Sequence, residues 1–453
     1  MNAIGIDVSK GKSTVAVLRP FGEIVLTPFD TTHSVEDLKA LISKLSSIEG
    51  ESRVVMEYTG NYHAPIANAL YEAGFFVSVI NPLLIHDYGN NSLRRAKTDK
   101  KDALKIAAYA LDRWLDLPKY IPEDETRQIL KIYHRQSQQL VSTKTALKNN
   151  LISLTDQTFP GVNVLFASHT TIEGHEKWLD FTETFWHAHC VSKFSKKAFC
   201  IKYEKWCKKH HYKYSEKKAI NIYDSACNAK TVLPSNDTVK NLISTAVKQL
   251  QTVSESLANI QNEMNLIAST LPEYNTVISM YGVGKLTAPQ LIADIGDIRR
   301  FTSKKALVAF AGVDAPPYQS GTVDVKSRSI SKRGCPSLRK TLFVIMAVLL
   351  KSSNLDNPVY QFIDKKRSEG KPYRVYMIAA ANKFLRIYYA KVSECLNNYC
   401  DKKNILSLFP KVHKYLVLLC NNCFTKQTKN ILTFVSRSRP AYSEGGEFLR
   451  LFS

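Results

Sequence analysis

Two short apolar runs in this chain each end on an acid, and a further pair of acids follows at helical spacing. The first run stops at Asp7 in Gly5-Ile6-Asp7-Val8-Ser9-Lys10, and the second at Glu57 in Val54-Val55-Met56-Glu57-Tyr58-Thr59-Gly60. Runs this short and rich in Ile and Val read as buried strands. An unpaired carboxylate closing such a strand is costly to desolvate, and a divalent cation relieves that cost. In Lys97-Thr98-Asp99-Lys100-Lys101-Asp102-Ala103 the two aspartates are three apart, so on a helix they share one face. Each acid alone reads as a surface charge or a helix cap; the specific signal is the order strand acid, strand acid, helix acid pair. Oxygen donors at four points suit Mg2+ or Mn2+ rather than a softer metal. Two such ions can clamp the attacking and leaving oxygens of a phosphodiester.

The residues around these acids predict an α/β unit over 1–120. Ser13 to Leu18 and Gly22 to Thr27 add strands, the second reached through a Pro-Phe-Gly turn. Ser34 can cap a helix holding Leu38, Leu41, Ile42 and Leu45. A helix near Ala64 to Ala73 and a strand from Phe75 to Ile80 complete a mixed sheet with helices on its faces.

Residues 121–272 read as long helices. Val239, Ile243, Ala246, Leu250, Val253, Leu257, Ile260, Met264, Ile267 and Leu271 keep an unbroken 4-3 spacing that Pro272 ends. That is a coiled-coil seam, reading either as one long helix packed on its own domain or as an antiparallel arm or dimer contact. Inserted at about 156–236 is a segment of different character. Its residues 193–218 hold ten lysines, among them Lys196, Lys197, Lys208 and Lys209, interleaved with Phe194, Phe199, Tyr203, Trp206, Tyr212 and Tyr214. Basic residues track phosphates and aromatics stack on bases, which makes this a candidate nucleic-acid surface. The alternative is a small insertion with its own aromatic core. Residues 273–400 form a mainly helical domain, and 401–453 a tail without a reading.

Lys and Arg number 62 against 40 Asp and Glu, a net charge of +22, which points to a polyanionic partner, nucleic acid first. The longest apolar run, Leu342 to Leu350, is far below the roughly 18 to 20 residues of a membrane span, and Asp7 and Lys10 interrupt any leader-like start; the expectation is a soluble, intracellular protein. Nine irregularly placed cysteines fit reduced thiols better than a disulfide framework. His187, His189, Cys190, Cys200, Cys207, His210 and His211, and a lone Cys420-x-x-Cys423, raise zinc, but the spacings fit no finger cleanly.

With these motifs the chain resembles the DEDD transposases of the IS110 insertion-sequence family, which also includes the Piv DNA invertases. Its N-terminal part resembles the RuvC-like nuclease fold. The resemblance rests on the acid motifs and continues through Tyr281-Gly282-Val283-Gly284, Ile295-Gly296-Asp297, Phe310-Ala311-Gly312-Val313, Gln319-Ser320-Gly321 and Ser331-Lys332-Arg333-Gly334. It implies an RNase H-like α/β N-terminal domain, a long helical coiled-coil middle and a mainly α C-terminal transposase domain. It implies that Asp7, Glu57, Asp99 and Asp102 hold Mg2+ or Mn2+, and that Ser320 attacks DNA to form a phosphoserine link. Gly282 and Gly284 precede a helix, where backbone N–H groups can meet a phosphate; Lys332, Arg333 and Arg339 can neutralise others. The implied partners are double-stranded DNA, a non-coding bridge RNA, and further copies of the chain as dimers pairing into tetramers, in a bacterial or archaeal cytoplasm at the nucleoid. Cys335 stands where the family often has Asn. The alternative function is a RuvC-like junction nuclease that uses water and no serine.

Overall fold

The computed structural model describes residues 1–88, 98–166, 176–315, 319–320, 323–324 and 329–408, excepting the side chains of 319–320, 323–324 and 400–408. Two compact units divide the chain, Met1–Asp124 and the part from Glu125 onward.

The first unit runs β1 (Asn2–Ser9), β2 (Lys12–Leu18), β3 (Ile24–Thr32), α1 (Val35–Ser46), β4 (Ser52–Glu57), α2 (Ala64–Glu72), β5 (Phe76–Ile80), α3 (Pro82–Tyr88) and α4 (Asp99–Asp112). The sheet order is β3-β2-β1-β4-β5. Tight turns join β1, β2 and β3 as antiparallel neighbours, whereas β4 and β5 lie parallel to β1 and are reached through helical crossovers. Ser34 caps α1 by accepting from the Asp37 amide. This is the mixed sheet the sequence predicts, except that β1 does not stop at Asp7 but runs on to Ser9, still paired with β2. β3 continues past Thr27, through Pro28, because at the sheet edge a proline costs no ladder bond.

Strand alternation divides the apolar residues between two faces. Ile4, Ile6 and Val8 join Leu41, Leu45, Ile66 and Leu70 in one core. Ala3, Val55 and Ile80 join Ile106, Ala107 and Ala110 of α4 in the other. Gly5 sits on the α4 side. A side-chain carbon there would lie 2.2 Å from the Ala103 carbonyl oxygen and 2.4 Å from the Ala107 nitrogen, so α4 rests backbone to backbone on β1.

The second unit is mainly helical: α5 (Glu125–Thr158), α6 (Val162–Leu165), α7 (Lys177–Thr184), α8 (His189–Ser192), α9 (Lys196–Lys209), α10 (Glu216–Asn228), α11 (Asp237–Ser269), α12 (Tyr274–Ile278), α13 (Thr287–Ile295), α14 (Lys304–Ala311), the short pair β6 (Gln319–Ser320) and β7 (Val323–Asp324), α15 (Pro336–Ser352), α16 (Pro358–Ser368) and α17 (Tyr373–Leu408). Leu151 of α5 shares a core with Val239 to Leu250 of α11, and Leu130 shares one with Met264 and Ala268, so the two long helices run antiparallel. The 4-3 seam of α11 is covered within the chain: Ile243 and Leu250 are fully buried and Met264 nearly so. Each half of the seam joins a larger core built with shorter helices.

The insertion folds around its aromatic residues. On α9, Phe199, Tyr203 and Trp206 recur at helical spacing and point inward to Phe159, Phe181 and Phe185. Tyr203 stacks on Trp206 with centroids 5.6 Å apart, and Phe181 on Phe185 at 4.7 Å. Phe194, Tyr212 and Tyr214 pack on the same core. These rings form the insertion's own core and are not laid open to bases. Lys177 covers the outer ring, 4.8 Å from the Tyr212 centroid.

Candidate active site

Register gathers the first two acids. Ile6 pairs with Met56 in the parallel β1–β4 ladder, which brings Glu57, the last residue of β4, next to Asp7, two residues before the end of β1. Both belong to the Ala3, Gly5 and Val55 side of the sheet, the side α4 covers, and both are half-buried. Because Gly5 lets Ala103 lie directly on β1, the first turn of α4 sits over this end of the sheet. That turn carries Asp99, exposed, and Asp102, half-buried. Thr98 caps it by accepting from the Lys101 amide at 3.3 Å, and acids suit this positive end of the helix. Lys97 lies outside the described residues.

A fifth acid stands in the same row. Asp7 pairs with Thr14 across β1–β2, and Thr14 with Asp30 across β2–β3. Residues directly opposite share a face, and the buried Thr14 hydroxyl donates to the Asp30 carboxylate at 2.7 Å. The strand read from Gly22 to Thr27 stops short of Asp30, which β3 includes. The signal available was the run Phe29 to Thr32 beyond Pro28.

The donor set, carboxylates on two neighbouring apolar strands beside an acid pair on a helix, fits a hard divalent cation. Among the described residues no three His, Cys, Asp or Glu side chains stand together as the ligands of one ion. The same observation covers the His and Cys residues of 187–211. His187 there is held by the Leu233 carbonyl at 3.1 Å and the His189 amide at 3.0 Å. Cys420 and Cys423 lie outside the described residues.

In the second unit, α12 and α13 flank the Gly282-Val283-Gly284 turn. Gly282 has φ +80°, and a side chain on it would strike Leu349 of α15 at 2.8 Å. The Gly284 amide donates to Thr287 Oγ1 at 2.9 Å, so it is spent inside the turn, while Lys285 beside it is exposed. Ser320 lies on β6, paired with Val323 of β7; its side chain, and Tyr318 and Gly321, lie outside the described residues. The chain flanking this loop is held at its base. The Cys335 amide donates to the Phe310 carbonyl at 2.8 Å, the Ser331 amide to the Asp314 carbonyl at 2.8 Å, and the Lys332 amide to the Gly312 carbonyl at 3.2 Å. A side chain on Gly334 would stand 2.1 Å from the Phe310 oxygen, so glycine alone permits this closure. Lys332 and Arg333 are exposed beside it. Arg339 is half-buried and donates to the Ala311 carbonyl at 3.0 Å, which gives it an internal role. Lys196, Lys197, Lys208 and Lys209 are exposed on α9; Lys196 pairs with Asp224 at 2.7 Å and Lys208 with Glu204 at 2.8 Å.

No helix among the described residues is long and apolar enough to cross a membrane. Comparison with known proteins finds two transposase family domains in this chain. The DEDD transposase model of the IS110 family matches residues 4–160, and the transposase IS116/IS110/IS902 family model matches 274–361. Neither reaches 161–273, which holds most of the insertion. A protein of insertion element IS110 from Streptomyces coelicolor is 21% identical over 391 residues, 86% of this chain and 94% of that one. The pilin gene-inverting protein of Moraxella bovis is 25% identical over 353 residues, 77% of this chain and 82% of its own. The transposase for IS1111A of Coxiella burnetii is 32% identical over 104 residues, 23% of this chain and 28% of that protein. DEDD domains of this kind work with divalent metal ions. With both family domains in the family's order, the chain belongs to the IS110 transposases, enzymes that cut and rejoin DNA.

Proposed function

We propose that this chain moves its insertion sequence by serine-mediated strand exchange, with Asp7, Glu57, Asp99 and Asp102 as the metal-holding carboxylates and Ser320 as the nucleophile. The observation that carries the reading is the register that sets Asp7 beside Glu57 on the face covered by the first turn of α4. A divalent cation bound by these acids supplies positive charge for the scissile phosphate. Ser320 Oγ forms a bond to phosphorus and gives up its proton; the DNA oxygen departs with the electron pair of the broken P–O bond. The phosphoserine link keeps the bond energy, so a DNA hydroxyl can reverse the step on a new partner without a nucleotide cofactor. Lys332 and Arg333, exposed beside the loop, offer charge to DNA phosphates, as do Lys196, Lys197, Lys208 and Lys209 farther along the chain. Guidance by a bridge RNA, assembly of dimers into tetramers and work at the nucleoid belong to the same reading and rest on the family resemblance.

A second reading, hydrolysis by water as in RuvC-like nucleases, is favoured by the DEDD domain match itself. A denaturing gel separates the two. Labelled DNA carrying the joined ends of the element is incubated with the protein, RNA transcribed from the element's flanks, and Mg2+. Strand exchange through serine gives a covalent protein–DNA band that Ser320→Ala abolishes. Cleavage without that band, unchanged in Ser320→Ala and lost in Asp7→Ala, establishes the water reaction.

A further inference from the structure

Three helices of the second unit meet at a buried polar cluster that neither reading has used. His134 of α5 is 4% exposed. Its Nε2 lies 2.9 Å from the Ser337 hydroxyl and 3.3 Å from the Asp294 carboxylate. The Ser337 hydroxyl donates to the other Asp294 oxygen at 2.8 Å. The Gln138 amide, one turn along α5, reaches both His134 and Ser337. The Cys335 thiol lies 3.7 Å from Asp294, and burial together with that carboxylate pushes its pKa up. Asp294 is almost fully enclosed, with a side-chain exposure of 7%.

Buried polar groups of this kind are costly unless partnered, and once partnered they fix one arrangement. What they fix here is specific. Ser337 is in the first turn of α15, and Cys335 closes the strand that returns from the Ser320 loop, whose amide bonds to Phe310, Gly312 and Asp314 form the loop's base. Asp294 ends α13, the helix that follows the Gly282 turn. The cluster therefore ties the return strand of the serine loop to α5 and α13 at once.

A second buried contact on α5 serves as an internal control. Arg127 pairs with Glu273 just before α12, with 5% and 2% side-chain exposure. It anchors the same helix two turns earlier, to the residue just ahead of α12.

We infer that His134, Asp294 and Ser337 are positioning residues for strand exchange: they hold the return strand 331–335 against α5 and so set where the loop bearing Ser320 is presented to DNA. This rests on the reading of Ser320 as nucleophile, and the test separates the two. In the full chain, Ser337→Ala, Ser337→Thr, Asp294→Asn and Glu273→Gln are compared with wild type. The readouts are DNA affinity, the rate of covalent adduct formation at saturating DNA, and hydrogen exchange of the Ser331, Lys332 and Cys335 amides. Positioning predicts that Ser337→Ala and Asp294→Asn slow the adduct by about 10- to 100-fold at unchanged affinity, as misplaced groups do. It also predicts faster exchange at those three amides, recovery in Ser337→Thr, and an adduct rate in Glu273→Gln within about 3-fold of wild type. Adduct rates and amide exchange in folded Ser337→Ala equal to those of Glu273→Gln would overturn it. Absence of adduct in wild type removes the serine reading, and the link from the cluster to catalysis falls with it.

Discussion

The carboxylate face of the first unit and the insertion of the second both lay charge over an apolar pattern, and they resolve it in opposite directions. On the face, β1 and β4 bury Ile4, Ile6, Val54 and Met56 completely and leave Asp7, near the end of β1, and Glu57, at the end of β4, half-buried on the side α4 covers. In the insertion, α9 buries Phe199 and Tyr203 completely and turns Lys196, Lys197, Lys208 and Lys209 outward. A strand of a central sheet is pinned on two sides and cannot rotate, so an acid at its end has one address. A helix of a small domain can rotate its apolar stripe to whatever core is at hand, and its charges take what is left. Rigid placement of a few acids is what metal chemistry needs; an exposed cationic fringe suits phosphate contacts without base readout.

Three variants sharpen that contrast. The largest effect on stability is expected in the insertion. Phe181 touches Phe159, Phe166, Phe185, Tyr203 and Trp206, and Phe181→Ala should cost about 3–5 kcal/mol by thermal or urea unfolding. Metal-dependent DNA cleavage per folded molecule should hold at low temperature, and its loss would mean that the insertion supports the acid face. Next comes Gly5→Ala. The added carbon meets backbone atoms of α4 at 2.2 and 2.4 Å, so the helix has to lift, at roughly 1–3 kcal/mol. Cleavage should fall about 100-fold with the acids all present. Unchanged cleavage would mean that Asp99 and Asp102 need not be held over β1. The smallest effect is expected from changing Lys196, Lys197, Lys208 and Lys209 together to Gln. Folding should be untouched, and the slope of log affinity against log salt should drop by up to about 3 to 4. No change in slope would leave these lysines as a solvated fringe.

The sequence carried the acid face well because strand alternation and the order of acids are local signals. It carried the helix pair equally well, since the 4-3 pattern of α11 runs unbroken. The partner of that seam was not legible, because periodicity reports that a face is covered and not by what. Phe199, Tyr203 and Trp206 left two readings open for the same reason: aromatics among lysines look alike whether the rings face a core or a base. Asp30 lies beyond the strand read from Gly22 to Thr27. The His134, Asp294 and Ser337 cluster could not be read at all, since its members are 160 and 43 positions apart and only packing brings them together.

The most direct test of the carboxylate face is affinity cleavage with Fe2+ in place of Mg2+, in ascorbate and peroxide. Hydroxyl radicals cut the backbone within a few ångströms of the bound ion, so the cuts map its ligands without requiring DNA turnover. Cuts near Asp7, Glu57 and 99–102, competed away by Mg2+ and absent in Asp7→Asn, are the predicted result. Cuts confined to other segments, or unchanged by Asp7→Asn, would contradict the assignment of these acids as the metal-holding site of this transposase.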